Sequence, residues 1–100
     1  MGVVHANRAY NGQEKVADDR VRAWKLFASE YPDFAYVLTF HMRQRYKTTP
    51  EEAIKSPEEF HRMLCALVGP GPASFVEEMI EIIAAKRGII VLLRPSEDSP

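Results

Sequence analysis

The sequence predicts an all-α fold: one domain of four main helices packed as a bundle, with an extra one-turn helix and a short apolar C-terminal segment. Three features carry that prediction. Apolar residues recur at three- and four-residue spacing over most of residues 17–87, the mark of helices with one buried face. Two helix starts stand close together, Thr49-Pro50-Glu51-Glu52 and Ser56-Pro57-Glu58-Glu59. In each, a hydroxyl residue caps the first free amides, a proline takes a position where its missing N–H costs nothing, and a glutamate three residues after the cap completes a capping box. Gly69-Pro70-Gly71-Pro72 and Gly88 then supply stops.

Taken in order, residues 1–10 carry no such signal and are expected to be loose, and Asn11, with Glu14 three residues on, reads as the cap of the first helix. Ala17, Val21, Trp24, Phe27, Ala28 and Tyr31 form its buried stripe, opposite Asp18, Asp19, Arg22, Lys25 and Ser29. Pro32 drives Tyr31 away from helical angles and ends it. The second helix is expected from Phe34 to about Tyr46, with Phe34, Val37, Leu38, His41, Met42 and Arg45 on one face. Tyr36 and Phe40 widen its apolar surface. A single turn at residues 50–55 precedes the third helix, which buries Phe60, Met63, Leu64, Leu67 and Val68.

The fourth helix, from about Pro72 to Arg87, is the expected centre of the core. Phe75, Val76, Met79, Ile80, Ile82, Ile83 and Ala84 make its stripe, and Glu77, Glu78 and Glu81 are assigned to its exposed face. Lys86 and Arg87 suit the dipole at its end, and Gly88 suits a left-handed cap. Beyond the cap stand Ile89, Ile90, Val91, Leu92 and Leu93, five apolar residues in a row. At about 1.5–3 kcal/mol for each such side chain fully buried, they must find cover. Two arrangements provide it: the segment folds back on its own helices or prolongs the last one, or it forms a strand that pairs with another subunit. Residues 94–100 are polar, bounded by proline and expected to be disordered.

Composition narrows the function classes. One hundred residues make one domain, divided here into a loose start (1–10), a helical core (11–88), the apolar extension (89–93) and a tail (94–100). A net charge of −1 gives no general attraction to nucleic acid or to an anionic membrane. The single cysteine excludes an intrachain disulfide and fits a reducing compartment. The opening residues have neither the charged and apolar regions of a signal peptide nor a hydroxyl residue at position 6 for myristoylation. The longest apolar run is far below the roughly 20 residues of a membrane helix. A cytoplasmic protein with no membrane partner is the expectation.

Three groups of residues bear on chemistry. His61 and Cys65 lie four apart, on one face of the third helix, and Glu58 with His61 makes a Glu-x-x-His pair. A structural zinc cage needs four ligands, and only His5 and His41 remain, so no metal or cofactor is expected. Cys65, flanked by Leu64, Ala66 and Leu67, reads as a small buried residue. Arg43, Arg45 and Lys47 form the one local basic patch, which a helix C-terminus favours for its dipole alone. The prolines of Gly69-Pro70-Gly71-Pro72 delete the amides that a phosphate loop would need. No catalytic constellation assembles, and an enzyme is not expected.

From the second helix onward the chain resembles a known family. Val37-Leu38-Thr39-Phe40-His41 through Tyr46, the two proline-and-acid helix starts, Phe60-His61, Gly69-Pro70-Gly71 and the wide apolar helix to Gly88 look like the Nitrosopumilus output domain family, small helical domains from archaea. The likeness spans about residues 20–90. It implies a non-enzymatic signalling or interaction module and offers no catalytic residues to carry over; the run from Ile89 to Leu93 is an addition to the pattern. The resulting expectation is an interaction or signal-output domain that self-associates as a homodimer, or binds another protein, through Ile89, Ile90, Val91, Leu92 and Leu93. The alternative is nucleic-acid binding through Arg43, Arg45 and Lys47.

Overall fold

Prolines partition the helical chain. Pro32, Pro50, Pro57 and Pro70 each occupy the start of a helix, where the fixed φ is preset and the missing amide is one the helix leaves unbonded. A computed structural model describes the backbone of residues 2–94 and the side chains of residues 14–94. The described residues form five helices: α1 (Gly2–Glu30), α2 (Pro32–Tyr46), α3 (Pro50–Ala53), α4 (Pro57–Val68) and α5 (Pro70–Lys86). No strand occurs among the described residues, and the fold is all-α. The disordered tail expected at 94–100 lies, past Arg94, outside the described residues.

The boundaries follow the local grammar to within about two residues, α2 opening at Pro32 and not Phe34 and α5 at Pro70 and not Pro72, with one larger exception. Thr49 is extended (φ −127°, ψ 161°) and its hydroxyl accepts from the Glu52 amide at 3.3 Å, as its position before Pro50 predicts. Thr49→Ala is expected to cost about 1 kcal/mol, readable by urea unfolding. Ser56 makes no such side-chain bond. Neither glutamate turns back to close a capping box: Glu52 pairs forward with Lys55 and Glu59 with Arg62. Gly69 (φ 96°) ends α4 and begins α5, and Gly88 (φ 81°) is the left-handed stop expected of it. The exception is the first helix, which opens at Gly2. Asn11 lies inside it, because nothing there breaks the helical hydrogen bonding as a proline would.

The core has two central helices. α1 packs on α5, α2 and α3, while α4 packs on α5 and α3. Trp24 and Phe27 meet at 5.5 Å between ring centres, Trp24 meets Phe60 edge-on at 6.3 Å, and Phe27 meets Phe34 edge-on at 6.1 Å. These contacts tie α1 to α4 and α2. From α5, Ala73, Val76, Ile80, Ile83 and Ala84 are buried.

Three expectations about faces are corrected. The buried residues of α2 are Ala35, Leu38 and Met42, with Phe34 partly buried beside them, while Tyr36, Val37 and Phe40 remain exposed: α2 packs mainly on α1 and α3. On α5, Phe75 and Ile82 also face outward. The third correction concerns Glu77, assigned above to the exposed face. It is fully buried (0 % exposed), because residues 73, 76, 77, 80, 83 and 84 share the face that meets α1 and α4.

Candidate functional site

The apolar segment after Gly88 is positioned by α5. With Gly88 left-handed, the chain reverses and the Ile89 amide donates to the Ala84 carbonyl at 2.9 Å. Residues 89–93 then run extended, so that successive side chains point to opposite sides. Ile89, Val91 and Leu93 are 6 %, 8 % and 1 % exposed and belong to the core, while Ile90 and Leu92 are 75 % and 76 % exposed. The five residues expected to act together as an association element are thus divided: three complete this chain's own core, and two face outward.

Glu81 fixes the end of the segment. Its Oε2 accepts from the Leu93 amide at 2.8 Å and the Arg94 amide at 3.4 Å, and its Oε1 accepts from the Arg94 guanidinium at 3.0 Å. That pairing raises the Arg94 pKa above its ordinary value. Glu81 is therefore a clamp and not a free surface charge. Among the described residues, no hydrogen bond engages the amides of Ile90, Val91 and Leu92. Val16, Asp19 and Arg20 of α1 stand beside these three, across a cleft of about 260 Å³.

Arg43, Arg45 and Lys47 all lie exposed at the C-terminal end of α2. Lys47 is the left-handed cap of that helix (φ 57°), its amide returning to Arg43, and the Arg45 guanidinium lies over the Tyr46 ring at 5.8 Å from its centre. Each is accounted for by the helix terminus that it closes.

A second cluster joins α4 to α5. His61 Nδ1 lies 2.8 Å from Glu77 Oε2, and His61 Nε2 lies 3.4 Å from Cys65 Sγ. Sequence reasoning saw the His61–Cys65 spacing but missed Glu77, sixteen residues on. The signal was present: Glu77 falls four residues after Ala73 and three before Ile80, on the apolar stripe. Its Oε1 is buried without a hydrogen-bond partner. Burial pushes the Glu77 carboxyl above its ordinary pKa, against the hydrogen bond and charge of His61. Burial, and then the Glu77 charge, push the Cys65 thiol up as well. A thiol so held is a poor nucleophile. No group of three or more His, Cys, Asp or Glu side chains among the described residues forms a metal cage, and Glu58 does not join His61.

An apolar cleft of about 440 Å³ is lined by Phe27, Tyr31, Phe34, Pro72, Phe75 and Met79, among others. Among the described residues, no helix is long and apolar enough to cross a membrane. Comparisons with protein-family models, curated proteins and solved structures found no match to this chain.

Proposed function

We propose that this protein is a non-enzymatic interaction domain that assembles with a second copy of itself through Ile90, Leu92 and the flank of α1 around Val16. The observation that carries this reading is the alternation along residues 89–93: the segment is anchored by three buried side chains and displays two large aliphatic ones to water. A rigidly held apolar pair needs little further ordering on binding, which lowers the entropic cost of association. The signal-output role implied by the family resemblance is of the same class.

A second copy suits the face. Its lining holds one acid, Asp19, and one base, Arg20, beside apolar side chains; Asp19 also pairs with Arg22 at 3.6 Å and Arg20 donates to the Lys55 carbonyl, so the face carries no net charge to repel a second copy. Covering two aliphatic side chains from each copy is worth roughly 6–12 kcal/mol, against an association cost of about 4–15 kcal/mol. The expected complex is a weak dimer that dissociates on dilution through the micromolar range.

Sedimentation or light scattering over a dilution series tests it. The parent is expected to shift from dimer to monomer, and Ile90→Glu with Leu92→Glu to stay monomeric throughout. Both side chains already face solvent, so the variant is expected to keep the stability of the monomer fold within about 0.5 kcal/mol per change. A parent that is monomeric at every concentration defeats the proposal. Nucleic-acid binding through Arg43, Arg45 and Lys47 would show instead as a low-salt gel shift lost on charge reversal of the two arginines.

A further inference from the structure

We propose that His61 Nε2 and Cys65 Sγ form an open binding site for a zinc-class divalent cation, with Glu77 positioning the imidazole from behind. The proposal is independent of self-association. It begins with the separation of the two ligand atoms. Zinc binds thiolate sulfur at about 2.3 Å and imidazole nitrogen at about 2.0–2.1 Å. An ion at those distances from two atoms 3.4 Å apart subtends an angle of about 103°, against about 109° for a regular tetrahedron. The separation therefore admits one ion bound to both atoms, off the line that joins them, in place of the thiol proton. One turn of α4 holds the two residues on a common face, and both are half-buried, within reach of a hydrated ion.

The second observation is Glu77. A metal-bound histidine characteristically donates its other ring N–H to a carboxylate, which fixes the tautomer and leaves the remaining nitrogen free to ligate. His61 Nδ1 lies 2.8 Å from the Glu77 carboxylate, which leaves Nε2 facing the sulfur. Glu77 is fully buried, with Oε1 unpartnered. A buried carboxylate with only the His61 ring as its hydrogen-bond partner is poorly compensated. A dication on the far side of that ring, polarising Nδ1–H, supplies the missing positive charge.

The chain provides two ligands, so the site is open rather than a closed cage. Water fills the remaining positions, and binding displaces one proton, that of the thiol. Cys65 thereby acquires a role that an apolar core residue would not have, and so does the carboxylate behind His61.

Cobalt(II) is the probe, added to the full chain after treatment with chelator. The expected result is a near-ultraviolet thiolate-to-cobalt charge-transfer band that saturates at one ion per chain and is removed by Zn²⁺. Cys65→Ser abolishes the band, and His61→Ala weakens binding at least about tenfold. Glu77→Gln keeps both ligands and the side-chain shape, so the band remains while affinity falls by about 10–100-fold. The far-ultraviolet circular dichroism of each variant checks the fold. Absence of a band at millimolar cobalt overturns the proposal, as does a band that survives Cys65→Ser, resists Zn²⁺, or forms as tightly in Glu77→Gln as in the parent.

Discussion

A chain ending at Gly88 is expected to lose its cooperative unfolding transition. The truncation removes Ile89, Val91 and Leu93, all buried between the helices, and with them about 5–9 kcal/mol of hydrophobic burial. That sum is an upper estimate, because an unfolded chain already covers part of this surface. The whole stability of a domain is only about 5–15 kcal/mol. Deletion also strips Glu81 of the Leu93 and Arg94 groups that it binds, leaving a largely buried carboxylate without them. Thermal and urea unfolding followed by circular dichroism check this. A shortened chain that unfolds cooperatively within about 2 kcal/mol of the parent would show that the segment is an accessory. The outward pair provides the contrast: Ile90→Glu with Leu92→Glu leaves the same backbone in place and is expected to alter assembly alone. On the proposed reading, one segment has two separable roles, the first in the core and the second at the surface.

The division of that segment was not legible in its sequence. Five aliphatic residues in succession have no period, so neither the alternation nor its phase could be read from Ile89 to Leu93. Both are set by the left-handed Gly88 and by Glu81, which together determine the side of the extended chain that meets the core. The helix boundaries from Pro32 onward were legible because they depend on local chemistry: a proline starts each of these helices whatever it later packs against. Asn11 misled for the converse reason. Its side chain suits a cap, but a cap is selected only where the helix must begin, and no residue before it prevents helix. Tyr36 and Phe40 show a further limit. An apolar residue reveals that cover would be favourable, not that its own chain provides it.

Glu77 is where the reading of polar residues as surface fails most consequentially, and its substitution has the other large expected effect. Glu77, Glu78 and Glu81 look alike in the sequence, and charge reversal at each would cost within about 0.5 kcal/mol if all were exposed. In the fold they differ. Glu78→Lys, at an exposed position, is expected to stay within that limit. Glu77→Lys places an ammonium in an enclosed site beside His61 and is expected to cost about 3–5 kcal/mol, as breaking a buried pair does. Glu81→Lys falls between, since it releases the clamp on Leu93 without creating a fully enclosed charge. The pH dependence gives an independent check. The folded-state pKa of Glu77 lies above the ordinary glutamate value of about 4.3, so between the two values the folded state binds more protons than the unfolded one. The contribution of Glu77 is therefore most favourable below that ordinary value, and it declines as pH rises through the window. Glu77→Gln cannot ionise. In chelator-treated buffer, its stability relative to the parent is expected to rise with pH across the window and to level off above it. Urea unfolding of both proteins over a pH series measures this difference, and a difference flat in pH would mean that the carboxylate carries no burial penalty in the fold.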